Sequence, residues 1–326
     1  MSRDRRLVRP HKDRSAFDRF IIDPKWDSRA VIRKRVELVE EEFGLRRSGE
    51  CSFILDDTVV EKCGEKGVGY YHDTKHGLVR GHCYVTEVCS CDGVSYLVDL
   101  RLYMPAGTSE KPFRSKIELA CELIDEFHPP SKRTTVQFDE WYLFGDVVKH
   151  AEDRRFDWVS EARSSRVPLR DGKRVHVDEM VDKMRSFIRY VEVDSEPHQC
   201  LDAEAYVPKV GDVRLLINYK ADTKDVHNLC TSFKDFPTGE LLKKSVERVK
   251  IESFHWAIKS TLGFEEYRFR ESEAAIVHLH LVLLTYSLLL ILKKRMREQT
   301  SPPPTTAASV RHADISGKDA SSPTSC

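Results

Sequence analysis

Acidic residues close several apolar runs of this chain, and one more sits on a helix-forming segment late in the sequence. Asp56 and Asp57 end the run "SFILDD", Asp139 ends "TVQFD", and Glu252 lies between Arg248 and Lys259 in "RVKIESFHWAIKSTLG". Carboxylates are hard oxygen ligands. Three of them on three elements suffice for two Mg2+ or Mn2+ ions about 4 Å apart, which stabilise the attacking and leaving oxygens of an in-line phosphoryl displacement. Neighbouring side chains on a strand point to opposite faces, so one of Asp56 and Asp57 faces such ions. The other caps the turn or coordinates indirectly.

At about 100° per residue on a helix, Arg248, Glu252 and Lys259 fall within roughly 40° of arc. Ile251, Phe254, Ile258 and Leu262 gather to one side, so the segment reads as an amphipathic helix with one charged row. Arg248, one turn before Glu252, and Lys259, two turns after it, are placed to grip the phosphates of a DNA strand laid along the helix. A solvated helix face shows the same row, and an aspartate at Asp139 also starts turns, so the surrounding elements must decide.

Those elements follow from periodicity. "DSRAVIRKRVELVEEEFG" is a helix with Asp27 or Ser28 as its cap and Gly44 at its end. "CSFIL", "GLVRGHCYVTEVCS" and "VSYLVDLRLYMP" are strands of an antiparallel meander with "CDG" as a turn. "FRSKIELACELIDEFHPP" is a helix stopped by prolines, "RTTVQFD" a strand, "LFGDVVKHAEDRR" a helix and "FDWVSEARS" a strand. Strands followed by alternating helix and strand predict an α/β fold with a mixed sheet, whose strand ends are where sites form.

Five regions are expected. Residues 1–50 form a basic helical leader, 51–163 the first part of the core, 164–231 a β-rich insertion, 232–294 the closing helices and 295–326 a Pro-, Ser- and Thr-rich disordered tail. Thr231 ends the strand leading to the Glu252 helix. Trp141 and Tyr142 read as core packing behind Asp139.

The 326 residues are 40% hydrophobic and 33% charged, a globular composition with zero formal net charge. Bulk charge therefore carries no case for nucleic-acid binding, which must rest on local clusters. Lys62 and Lys66 in "VEKCGEKGVGYYH", and Arg163 and Arg166 past a strand end, are such candidates for phosphate. The nine cysteines lack the paired spacing of a zinc ribbon or finger; Cys83, Cys89 and Cys91 read as strand residues, and reduced thiols in a cytoplasm are expected. "AAIVHLHLVLLTYSLLLILKKR" imitates a membrane span, but its uninterrupted apolar part suits a buried core helix.

The combination resembles the DDE insertion-sequence transposases of the RNase H-like superfamily, in the insertion-sequence-four-like branch with the Y-R-E-K signature. In Y-x2-R-x3-E-x6-K, Arg248, Glu252 and Lys259 match the last three positions. "ILDDTV" resembles the first-aspartate strand, with Asp57 at the catalytic position, and "VQFDEWY" the second, with Asp139; the likeness spans Phe53 to Leu292. It implies an RNase H-like mixed sheet flanked by helices, with a β-rich insertion before the glutamate helix. It also implies Asp57, Asp139 and Glu252 as catalytic residues holding two Mg2+ or Mn2+ ions, and cut-and-paste transposition. Expected partners are terminal inverted repeats and target DNA, bound by a homodimer at the nucleoid, with no membrane and no small-molecule substrate. Three departures stand out: Ser245 at the tyrosine position, Val249 at the usual tryptophan, and a short region before Asp56 where relatives carry a fuller helical DNA-binding region. Two other functions compete: a remnant that only binds DNA, and a protein anchored through residues 274–292.

Overall fold

The structure, a computed structural model, describes residues 14–300 except 64–65, 74–76, 109–111, 163–168, 171–172, 175–176 and 220–225. Two helices open it, α1 (Arg14–Ile22) and α2 (Ser28–Phe43). Asp27 caps α2 by accepting from the Arg29 backbone N–H, and Gly44 ends it in the left-handed conformation. The strands β1 (Glu50–Glu61), β2 (Gly69–Asp73), β3 (Gly77–Cys91) and β4 (Val94–Tyr103) come next. Asp92 and Gly93, both at positive φ, make the tight turn between β3 and β4 that "CDG" predicts.

Helix α3 (Lys116–Glu126), β5 (Arg133–Phe138), α4 (Gly145–Asp153) and β6 (Asp157–Ala162) complete the first half. Ser115 and Glu118 cap α3 reciprocally, each side chain bonding the other's backbone N–H. Antiparallel β1, β3 and β4 are continued on the far side of β1 by β5 and then β6, both parallel to it and each reached through a helix. This is the RNase H-like arrangement.

The second half adds the short strands β7 (Leu169–Arg170) and β8 (Lys173–Arg174), helix α5 (Val177–Lys183), and β9 (Arg189–Val193), β10 (Glu196–Val207), β11 (Gly211–Tyr219) and β12 (Val226–Thr231). These strands form no separate layer. β12 pairs antiparallel with β6, and β11, β10 and β9 follow, so the inserted strands lengthen the core sheet itself. Two long helices close the chain, α6 (Thr238–Leu262) and α7 (Ser272–Thr300).

Alternation along the strands sorts the core into two layers. Leu55, Val85, Val136, Phe138 and Trp158 pack under Leu119, Leu123, Val147 and Ala151 of α3 and α4. On the other face Ile54, Tyr84 and Val88 meet Ile251, Phe254 and Ile258 of α6 and Leu279 and Leu283 of α7. Full burial of such side chains contributes about 2 kcal/mol each, which fixes α6 lengthwise over β1. Ser287 in α7 is buried while Leu288, Leu289, Leu292 and Met296 are exposed. The apolar run is thus buried mainly through its first half, with Leu290 and Ile291 still packed against the core beyond it, and the helix continues six residues past the expected end at Lys294. By length and composition alone α7 could cross a membrane. Residues 301–326, the expected tail, lie outside the described residues.

Candidate active site

The register of three parallel strands builds the site. Leu55 of β1 stands opposite Phe138 of β5, which stands opposite Ser160 of β6. One step further along lie Asp56, Asp139 and Glu161. Because Leu55 and Phe138 face α3 and α4, this next row points to the α6 side. Asp56 confirms it through its partner on β3: Thr86 is paired with Asp56, and its hydroxyl lies 3.1 Å from Nε2 of His255 on α6.

The expected first aspartate, Asp57, is placed differently. Asp57 lies on the opposite face, where its carboxylate pairs with Lys116 at the start of α3 and accepts a 3.3 Å hydrogen bond from the Cys83 thiol. A one-residue step on a strand exchanges the faces, and the sequence "DD" offers both. Asp56, not Asp57, shares a face with Asp139 and α6.

Both carboxyls of the row are held partly out of water. Asp56 accepts from the Asp57 backbone N–H at 2.8 Å, and Asp139 from the Trp141 N–H at 2.9 Å. Burial, with Asp57 and Asp139 nearby, pushes the Asp56 carboxyl up to about 7. Burial and Asp57 push Asp139 up to about 6. Like charges in a desolvated cleft need a cation.

The helix supplies one. Arg248 is largely buried, with 14% of its side chain exposed, and its Nη2 donates to Glu161 Oε1 at 2.6 Å. Burial opposes its charge, but Glu161, Asp56 and Asp139 outweigh that and raise its pKa. Its Nε is buried with no hydrogen-bond partner among the described residues. Glu252 follows one turn later on the same side of α6 and is exposed. Lys259 donates to the Val59 carbonyl at 2.8 Å and pairs with Glu265 at 3.0 Å. Arg248 and Lys259 therefore hold protein groups here, although both lie on the predicted row.

The remaining candidates fall elsewhere. Lys62 is 7% exposed, and its ammonium donates to the carbonyls of Glu265 and Tyr267, each at 2.6 Å, so it is turned away from any phosphate backbone. Lys66 bridges to both carboxylate oxygens of Glu271 on the surface. These two lysines tie the segment after β1 to the α6–α7 connection. Arg163 and Arg166 lie outside the described residues. Tyr142 is core, as expected, but Trp141 is 66% exposed beside Asp139. Trp256, one turn after Glu252, is exposed as well. Thr231 ends β12 fully buried.

Glu161 was missed, and its only sequence signal was a carboxylate near the end of the strand after Asp139. Cys83 lies far along β3 from Cys89 and Cys91, and among the described residues no three His, Cys, Asp or Glu side chains converge as a metal group. Asp56 and Asp139 nevertheless fit a divalent cation: both are hard oxygen donors, both are desolvated, and the Arg248 guanidinium is the cation that acts on both among the described residues. Glu252 stands outside this pair as a third carboxylate on the same side.

No curated protein matches the chain. Among solved structures, the NurA nuclease from Sulfolobus solfataricus aligns at 8% identity and a TM-score of 0.30, covering 90% of this chain and 100% of that one. An endonuclease V from Bacillus subtilis aligns at 11% and 0.25, covering 80% and 92%. Likenesses this weak bear on neither mechanism nor substrate. The sequence itself is decisive: residues 3–186, which carry both site aspartates and Glu161, match the DDE superfamily endonucleases, and the chain belongs to that family.

Proposed function

We propose that this endonuclease is a DNA transposase of the Y-R-E-K type, which cuts the ends of an insertion sequence and joins them to a target. The observation that carries the reading is the facing of Asp56, in the middle of β1, and Asp139, just past the end of the parallel neighbour β5, by the helix bearing Arg248, Glu252 and Lys259 at signature spacing. Family membership supplies divalent-metal-dependent cleavage of nucleic acid. The transposase assignment rests on the signature residues themselves.

In this reading Asp56 and Asp139 hold the ions, Mg2+ or Mn2+, with Glu252 completing the set. Such ions, when bound, stabilise the attacking and leaving oxygens of the phosphodiester. The chain's own residues do the rest. The Asp57 and Trp141 backbone N–H groups orient the two aspartates. The buried side chains of α6 fix Glu252 against rotation about the helix axis. Arg248 balances the acidic row from within, and the exposed rings of Trp141, two residues after Asp139, and Trp256, one turn after Glu252, are open to a DNA strand. The protein acts on inverted-repeat DNA at the nucleoid as a dimer that pairs the two ends.

Purified protein with DNA carrying the flanking repeats and Mn2+ provides the test. Nicking at the repeat ends followed by joining to a second duplex is expected. Asp56→Asn, Asp139→Asn and Glu252→Gln each abolish it, while Asp57→Asn leaves nicking measurable. Cleavage without joining would reduce the reading to a plain endonuclease, and full activity of Asp56→Asn would overturn the site.

A further inference from the structure

Glu161 matches no position of the signature, yet it completes the row Asp56, Asp139, Glu161 across three parallel strands. It is also the residue that bonds Arg248, at 2.6 Å. Arg248 has 14% of its side chain exposed and a buried Nε without a partner among the described residues, so one edge of the guanidinium is spent on Glu161 while the field of Asp56 and Asp139 acts on the whole group. A guanidinium and a divalent cation compete for the same negative charge when both lie over one pair of carboxylates. Where the arginine rests therefore decides how readily the pair accepts a metal ion.

We propose that Glu161 is a positioning residue: it gives Arg248 a second seat beside the Asp56–Asp139 pair and so keeps the two aspartates accessible to a divalent cation. This rests on the reading of that pair as the metal-holding carboxylates. Without the Glu161 charge, Arg248 falls back on Asp56 and Asp139 and blocks them. Glu161 acts through Arg248 and is not itself a ligand, which separates the proposal from a larger ligand set.

The experiment measures Mn2+ binding without DNA, from the electron paramagnetic resonance signal of free Mn2+, with Mn2+-induced thermal stabilisation as a second readout. Losing one charge-assisted bond of this kind is expected to weaken Mn2+ binding about tenfold in Glu161→Gln. Arg248→Gln removes the competitor and is expected to bind Mn2+ more tightly than the wild type. The double variant regains the affinity of Arg248→Gln. Unchanged Mn2+ affinity in Glu161→Gln overturns the proposal, and so does a double variant as weak as Glu161→Gln, because Glu161 would then be a direct ligand. If Glu161→Gln does not fold, by far-ultraviolet circular dichroism, Arg248→Gln decides alone, and affinity no higher than wild type refutes the competition. Wild-type protein that takes up no Mn2+ brings down the metal reading and this inference together, whereas failure of the variants alone leaves the metal reading standing.

Discussion

Replacing Asp56 by asparagine should stabilise the protein while destroying its activity, and the same change at Asp57 should do the reverse. Asp56 is pushed up to about 7 by burial and by its acidic neighbours. A carboxyl raised in the folded state opposes folding once ionised: its contribution is fully present below the ordinary carboxylate value and is lost as pH climbs through the folded one. A rise from roughly 4 to about 7 at about 1.4 kcal/mol per pH unit sets a ceiling near 4 kcal/mol at pH 8. The little solvent that reaches this largely buried group and its coupling to Asp139 reduce this to about 2 kcal/mol. Asparagine keeps an oxygen for the Asp57 N–H and sheds the charge. In EDTA at pH 8, Asp56→Asn is thus expected to melt about 3 °C above the wild type, with the gap closing as pH falls toward 4. Asp57→Asn gives up the pair with Lys116 and melts lower, by about 1 kcal/mol of stability. Differential scanning fluorimetry across pH, with EDTA or Mn2+, reads all of this. Mn2+ near a hundred times its Kd should add about 2.7 kcal/mol to the wild type and almost nothing to Asp56→Asn. A destabilised Asp56→Asn, or one that Mn2+ protects as well as the wild type, would refute the placement of Asp56.

Other perturbations probe separate parts of the molecule. Glu252→Gln changes an exposed side chain and should leave the melting temperature unaltered while nicking disappears; loss of both would mean that Glu252 is structural. Lys62→Met leaves the Glu265 and Tyr267 carbonyls without their donor and should cost about 2 kcal/mol in urea unfolding. It should not change the salt dependence of DNA binding, and a shallower salt slope would show that Lys62 reaches phosphate. Gly81→Ala sets a Cβ 2.1 Å from the Val60 carbonyl oxygen across the β1–β3 pair, an overlap expected to cost about 2 kcal/mol or more by the same assay.

Local chemistry made much of the scaffold legible. The Asp27 cap and Gly44 stop of α2, the Asp92–Gly93 turn, and the helices and strands from Lys116 to Ala162 all follow from capping, turn and periodicity rules that act within a few residues. The row of Arg248, Glu252 and Lys259 follows too, since helical spacing is itself a local property. That the inserted strands lengthen the core sheet was not legible, because strand pairing is chosen by whichever distant edge has open backbone groups, here β6.

The site divides along the same line. Sequence alone brought Asp139 and the glutamate helix to the ends of core elements and narrowed the first aspartate to two. Tertiary structure put Asp56 and Asp57 on opposite faces, because facing depends on strand register, and a step of one residue moves a carboxylate across the sheet. It also recruited Glu161 through the parallel β5–β6 pairing and turned Lys62, Arg248 and Lys259 toward internal partners. A charged side chain reveals its type in the sequence, but its partner is whatever the fold brings within about 3 Å, and that is set by residues that can lie 203 positions away.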